Sequence, residues 1–201
     1  MEEAIRLDRA LPVGSAGHRA SGWWGMWCLI ATEAALFAYL LFSYFYLGTQ
    51  TQSHWVPELP KLRLALPNTI LLLASSAVLY WGETGIRHNN RRRLLLALLI
   101  TIVMGTGFAL IQTLEWHDKK FRLWDSAYAS CYFITTGFHM VHVVGGLLIL
   151  MALLLWSLMG KFDHHRHAAV SIGALYWHFV DVVWLAVFTV FYLTPRLNVL
   201  T

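Results

Sequence analysis

The chain has 201 residues, of which 58% are hydrophobic and only 13% are charged. Soluble domains carry about 25% charged residues, so this composition excludes an ordinary soluble fold and predicts an integral membrane protein. The formal net charge of +4 is no sign of a nucleic-acid partner, because the basic residues cluster in loops between apolar segments.

Five apolar segments are long enough to cross a bilayer as helices, which takes roughly 20 residues each. They cover about residues 23–47, 64–81, 94–114, 128–159 and 168–193, and a polar N-terminal segment precedes them at residues 1–20. We therefore expect an all-α integral membrane bundle of five transmembrane helices, forming one membrane domain over residues 21–201. Pro67 suits the first turn of the second helix, and the length of the fourth segment predicts tilt or protrusion.

The basic residues are distributed unevenly between the two ends of the predicted bundle. Loops on the N-terminal side hold nine Lys or Arg residues, against six on the opposite side. Cytoplasmic loops are enriched in these residues, so we expect a cytoplasmic N-terminus and a periplasmic C-terminus in a bacterial inner membrane. The densest block, Arg91, Arg92 and Arg93, is also expected to meet anionic lipid head groups.

Ionisable residues inside the apolar segments are candidate functional groups. A carboxylate near the bilayer centre costs about 2.5–3.5 kcal/mol and persists only with a partner or with access to water. Glu33 is either a proton-linked or lipid-contacting site, or a buried carboxyl that fixes helix packing. His178 and Asp181 are three residues apart and share a helix face, which suits either a proton relay or an interhelical hydrogen-bonding pair.

His139 and His142 are also three residues apart, in the fourth segment. Paired imidazoles at this spacing can bind a metal or a haem, but no Cys lies on the same face. The alternative is that both imidazoles hydrogen-bond across helices, with Gly137, Gly145 and Gly146 allowing close approach.

Gln112 and Glu115, at the end of the third segment, predict a polar cap that faces the same bundle. The sequence shows no Gly-rich phosphate loop, no His-Glu-x-x-His motif and no Ser/His/Asp arrangement, so we expect no catalytic site in the chain alone. Four loop residues are expected to be solvated rather than metal-binding: Asp163, His164, His165 and His167.

Five motifs in chain order resemble subunit III of the haem-copper terminal oxidases. They are Trp24-Gly-Met-Trp followed by Thr32-Glu33, then Pro67-Asn-Thr-Ile-Leu-Leu-Leu-Ala-Ser-Ser76, Gln112-Thr-Leu-Glu115, Thr136-Gly-Phe-His-Met-Val-His-Val143 and Tyr176-Trp-His-Phe-Val-Asp-Val-Val-Trp184. Many members of that family have seven helices. This chain begins at what would be their third helix and resembles the short, five-helix bacterial form.

The resemblance implies an accessory subunit of a cytochrome c oxidase, which couples oxygen reduction in aerobic electron transport to proton translocation. Haem and copper would lie in subunits I and II, and the chain would pack on subunit I, hold phospholipids, and support proton uptake and stability. Glu33 and His142 would line a lipid cleft, unless they simply form a direct hydrogen bond without a ligand. The implied structural polar network comprises His139, His178, Asp181, Gln112 and Glu115, with no catalytic or metal-binding residue.

Four other interpretations remain open at this point. Subunit III of a quinol oxidase and the accessory protein of a nitric oxide reductase have similar motifs, although Glu33 favours the cytochrome c type. A haem-binding electron-transfer bundle would use His139, His142 and His178. A proton-coupled carrier would use Glu33 and Asp181, but the sequence has no inverted repeat of the kind that such carriers show.

Overall fold

The computed structural model describes residues 21–51, 55–60, 62–162 and 167–197. Five helices in these ranges are long and apolar enough to cross a membrane, which confirms the predicted all-α bundle. They are α1 (Ser21–Gln50), α2 (Leu62–Arg87), α3 (Arg91–His117), α4 (Ala127–Leu158) and α5 (Ala168–Phe188). α5 continues through a π-helical turn, Thr189–Leu193, into a 3-10 turn, Thr194–Leu197.

The first three helices extend beyond their predicted apolar segments. α2 covers Leu62–Arg87 rather than residues 64–81, so Pro67 lies inside the helix and not in its first turn. Because proline has no N–H, the carbonyl group of Arg63 loses its intrahelical partner. The extension at the other end brings Glu83 into the helix. The predicted boundary at residue 20 adjoins residues outside the described ranges and stays a prediction.

Local backbone signals fix where the helices begin and end. The α2–α3 turn contains Asn89 at φ +60°, in the left-handed region that Asn tolerates better than most residues. Asn90 then caps α3, because its side-chain oxygen accepts the backbone N–H of Arg93 at 3.1 Å. Ser126 caps α4 in the same way, and Gly160 at φ +76° follows the end of that helix. Because the connection between α2 and α3 is short, these two helices are antiparallel neighbours.

Helices α2, α3, α4 and α5 form a ring in which each packs against the next and α5 closes on α2. α1 lies outside this ring, against α4 and α5. α5 is the most buried of the five helices and α1 the least. We call the end of the bundle where α1 begins side A, and the opposite end side B.

Trp177 of α5 lies at the centre of the ring and is fully buried. A Cβ atom at Gly105 of α3 would lie 2.6 Å from the indole, and one at Gly146 of α4 would lie 2.7 Å from it. The indole N–H donates to Oγ of Ser75 on α2 at 3.0 Å. One side chain therefore sets the spacing of α5 from three neighbours. Of the glycines expected to allow close approach, Gly146 does so, whereas Gly137 faces open space.

Aromatic side chains pack around the side B end of α1. Tyr44 of α1 is fully buried and packs edge-to-face against Trp55, Tyr128 and Phe191, with ring centroids 5.6, 6.1 and 4.9 Å away. Such pairs contribute about 0.5–1.5 kcal/mol each beyond their burial. The cluster fixes the side B end of α1, a helix with few other buried residues.

The outward faces of the helices are apolar, as a bilayer requires. Large hydrophobic residues exposed on the five helices include Tyr39, Phe42, Ile70, Val103, Val141, Leu148 and Val182. Monomeric soluble proteins rarely expose contiguous apolar surface on this scale, so lipid or partner subunits cover it.

The contact between Trp177 and Gly146 can be tested with two Gly→Ala variants on α4. In Gly146→Ala the new methyl group meets the indole at 2.7 Å, and such overpacking costs about 1–3 kcal/mol. Gly137→Ala is the control, because a Cβ there meets nothing within 4 Å and Ala favours a helix over Gly by about 0.5–1 kcal/mol. We expect only Gly146→Ala to lower the unfolding temperature in detergent. Equal shifts in both variants would contradict this packing.

Candidate functional site

Glu33 of α1 and His142 of α4 form a hydrogen bond near the middle of their helices. Oε2 of Glu33 lies 3.0 Å from Nε2 of His142, whose Nδ1 lies 2.7 Å from the carbonyl oxygen of Phe138. A carbonyl oxygen only accepts, so Nδ1 carries a proton. Nε2 then either accepts the carboxyl proton or, as imidazolium, donates to the carboxylate. In both forms the pair shares one proton and has no net charge, which suits its depth in the membrane.

The Glu33–His142 pair is anchored on one side and open on the other. The ring of Phe37 packs edge-on against the imidazole at 5.1 Å between centroids. The Glu33 side chain keeps 27% of its surface exposed, against 12% for His142. The structure thus brings together the two residues proposed as a lipid-binding or proton-linked site. Their contact is the direct hydrogen bond, and the exposed carboxyl can still be reached from outside the bundle.

His178 and Asp181 of α5 are joined through Ser76 of α2 and not to each other. Oγ of Ser76 lies 2.7 Å from Nδ1 of His178 and also donates to Oδ2 of Asp181. A hydroxyl that donates to the carboxylate must accept from the imidazole, so Nδ1 of His178 carries a proton. Oδ1 of Asp181 is buried without a hydrogen-bond partner among the described residues. This triad ties α5 to α2 at mid-membrane depth.

Glu115 at the side B end of α3 is held by three donors on one oxygen. Its Oε1 lies 2.9 Å from Nζ of Lys119, 2.6 Å from the hydroxyl of Tyr192 and 3.4 Å from that of Tyr132. The ammonium group also lies over both tyrosine rings, 4.8 Å from the centroid of Tyr132 and 5.5 Å from that of Tyr192. Glu115 therefore has several polar partners at this end of the bundle. Gln112 is fully buried and lies beside the hydroxyl of Tyr132, without a hydrogen bond of normal geometry.

His139 and His142 play different structural parts although they lie on one helix. His139 is fully buried among the rings of Trp184, Phe108 and Phe37, at centroid distances of 4.9, 5.9 and 6.4 Å. Neither of its ring nitrogens has a hydrogen-bond partner in the described ranges. The expected hydrogen bonds across helices are thus made by His142 and not by His139.

Near side A, Glu83 links α2 to α5. Its Oε1 accepts from Arg87 at 2.6 Å and from the hydroxyl of Ser171 at 2.7 Å. Glu83 is buried, whereas 54% of the Arg87 side chain is exposed. The pair therefore places a neutralised carboxylate inside the bundle and presents a guanidinium at its surface.

Two of the three arginines that begin α3 bond to the protein itself. Arg91 donates to two backbone carbonyl oxygens at the end of α4, at 2.7 and 2.6 Å. Arg93 donates to Thr84 at 2.8 Å and lies 4.7 Å from the ring centroid of Trp81. Arg92 is exposed, and of these three arginines it alone makes no side-chain hydrogen bond or ion pair with the described residues.

Two of the three intramembrane histidines are engaged by other protein groups. No group of three or more His, Cys, Asp or Glu side chains in the described ranges could hold a metal ion. The ring nitrogens of His142 are engaged by Glu33 and a backbone carbonyl, and Nδ1 of His178 is engaged by Ser76. Of the loop cluster, Asp163, His164 and His165 lie outside the described residues.

Reasoning from the sequence missed several participants in these networks, among them Glu83, Lys119 and Ser76. Glu83 and Lys119 each have a partner four residues away in the chain, Arg87 and Glu115, so the helical spacing of opposite charges would have found them. Ser76 carried no such local signal, because its partners lie on another helix.

Comparison with known proteins places all five helices inside one match. Residues 17–195 match the protein family described as cytochrome c oxidase subunit III. "Cytochrome c oxidase subunit 3" of Pan troglodytes and that of Homo sapiens are each 36% identical over 177 residues, or 84% of this chain and 68% of the relative. The Mammuthus primigenius protein of that name is 34% identical over 189 residues, or 90% and 71% of the two chains.

Replacing Ser76 by Ala should destabilise the bundle, because one change leaves both His178 and Asp181 unpaired. Each unsatisfied buried group costs about 1–3 kcal/mol. The control is Ser43→Ala, whose hydroxyl bonds only to the carbonyl of Tyr39 on its own exposed helix face. We expect a lower unfolding temperature and a lower yield from membranes for Ser76→Ala and for Asp181→Ala, but not for Ser43→Ala. Wild-type values for Ser76→Ala would show that the triad does not hold the helices together.

Proposed function

Because the chain belongs to the cytochrome c oxidase subunit III family, we propose that it acts as the accessory subunit III of a cytochrome c oxidase. Such an oxidase couples oxygen reduction in aerobic respiration to proton translocation. We further propose that the chain itself is not catalytic and that haem and copper lie in subunits I and II. The engagement of His142 and His178 by other groups supports this division of labour.

The observation that carries the proposed role is the Glu33–His142 pair. It is a neutral, hydrogen-bonded unit at mid-membrane depth with a partly exposed carboxyl. The shared proton is already engaged between Oε2 of Glu33 and Nε2 of His142, so the second carboxyl oxygen of Glu33 is left to accept a hydrogen bond. A phospholipid head group with an N–H or O–H donor can supply that bond, so we propose that this surface of α1 and α4 retains lipid in the complex.

The apolar exterior of the bundle supports direct packing on subunit I, with subunit II in the same complex. α1 is the least buried helix and carries Glu33, so a lipid held at Glu33 would lie where α1 meets its surroundings. We propose that this lipid braces the contact with subunit I and so supports proton uptake and the durability of the catalytic subunit.

Replacing Glu33 tests this role in the assembled oxidase. Glu33→Ala removes the hydrogen bond to His142, so we expect initial oxygen-reduction rates near those of the wild type and faster loss of activity during continuous turnover. Glu33→Gln is the matched control, because an amide can still donate to Nε2 of His142 but cannot release a proton. It should stay as durable as the wild type.

Two results would decide against lipid retention by Glu33. The first is equal loss of durability in Glu33→Gln and Glu33→Ala, which would assign the role to the proton. The second is immediate, complete loss of proton pumping by fully assembled Glu33→Ala enzyme.

We propose that side A is cytoplasmic and side B periplasmic, in a bacterial inner membrane. The support is the cluster of Arg87, Arg91, Arg92 and Arg93 at side A, since positive charge close to a helix end favours the cytoplasm. A reporter that is active only in the periplasm, fused after Arg196, should be active, and a cytoplasmic reporter at the same site should not. The opposite pattern would reverse the orientation.

A further inference from the structure

Polar side chains occupy three successive levels of the seam between α3 and α4. Glu115 contacts Tyr132 through the phenol oxygen at 3.4 Å, and the ring of Phe108 contacts His139 at 5.9 Å between centroids. From side B inward, residue numbers fall along α3 and rise along α4, because the two helices are antiparallel. The same register places Gln112 opposite Thr135, between the other two levels.

The middle level (Gln112 and Thr135) and the inner level (Phe108 and His139) contain buried polar atoms that lack hydrogen bonds within the described part of the protein. Gln112, Thr135 and His139 are all fully buried. The hydroxyl of Thr135, both ring nitrogens of His139 and Oε2 of Glu115 lack a hydrogen-bond partner among the described residues. The Gln112 amide lies beside the Tyr132 hydroxyl but forms no hydrogen bond of normal geometry. Buried polar groups in native proteins are paired with protein or with ordered water, and each orphaned group is costly. So many orphans on adjacent levels indicate a shared ligand rather than separate defects.

A cavity on side B leads to the outer level of this seam. It has a volume of about 370 Å³, and its wall includes Arg63, Asp118, Lys119 and Glu115. Since a water molecule occupies about 30 Å³ in the liquid, the cavity has room for several. Glu115 belongs both to this wall and to the polar levels, so it connects the cavity with the interior.

We propose that the α3–α4 seam holds a file of ordered water molecules that begins at this cavity, passes Glu115 and ends at His139. The chemistry of the orphaned atoms favours water over a cation. The Gln112 amide, the Thr135 hydroxyl and the imidazole each offer a donor as well as an acceptor, which water matches and a metal ion does not. The ammonium group of Lys119 at the outer level also repels a second cation.

The file ends at His139 because aromatic rings close the seam there. Phe37, Phe108 and Trp184 surround the imidazole. In this arrangement His139 exchanges protons with side B water although its side chain is fully buried. The seam is thus a hydrated inlet from one side of the membrane and not a path across it.

The test is a map of the assembled oxidase at a resolution that shows ordered water. We expect density within hydrogen-bonding distance of the Gln112 amide, the Thr135 hydroxyl and a ring nitrogen of His139, continuing to the side B cavity. A direct hydrogen bond from Gln112 to Thr135 or Tyr132, with no density in the seam, would overturn the proposal. So would density at the coordination distances of a metal ion.

A variant shows whether the water depends on these polar atoms. Gln112→Met combined with Thr135→Val keeps the shapes of both side chains and removes their polar atoms, so the seam density should be lost. Thr106→Val is the control, because Thr106 bonds to a carbonyl of its own helix and lies away from the three levels; there the density should remain. Density that persists in the double variant would contradict the proposal. If the double variant fails to assemble, the wild-type map decides alone.

Discussion

The close contact of Trp177 with Gly105 and Gly146 is the constraint on which the rest of the bundle depends. A large, rigid indole fills the centre of the ring only because its neighbours on α3 and α4 have no side chain. Two helical turns further along α5, Trp184 likewise donates to a hydroxyl of α2, that of Thr69, at 3.0 Å. Because both indoles are hydrogen-bonded to α2, the part of α5 between them has a fixed rotation about the helix axis. That rotation directs His178 and Asp181 toward Ser76.

The partners of the intramembrane carboxylates differ with depth. Near the two ends, Glu83 and Glu115 pair with an Arg and a Lys four residues on, whose long side chains reach toward the interface. Nearer the middle, where a full charge is most costly, the partners are an imidazole and a hydroxyl. The pairs are Glu83 with Arg87, Glu115 with Lys119, Glu33 with His142 and Asp181 with Ser76.

Hydropathy and motif spacing were enough to predict the five helices, and the resemblance identified the family. Helix ends were less predictable, since polar residues such as Glu83 continue α2 beyond its apolar part. Partners on other helices were the least predictable. Nothing local connects Ser76 with Asp181, and the shared spacing of His139 and His142 gave no sign that one imidazole faces the ring and the other faces α1. Those facts depend on helix rotation, which packing around Trp177 fixes.

The π-helical turn Thr189–Leu193 contains one residue more than an α-helix of the same length. Each residue of an α-helix advances it by about 100°, so that extra residue sets the direction in which Tyr192 points and allows its hydroxyl to reach Glu115. Deletion of a single residue in this turn would restore a regular α-helix and turn the phenol of Tyr192 away from the carboxylate of Glu115. The end of α5 is therefore constrained in length as well as in sequence.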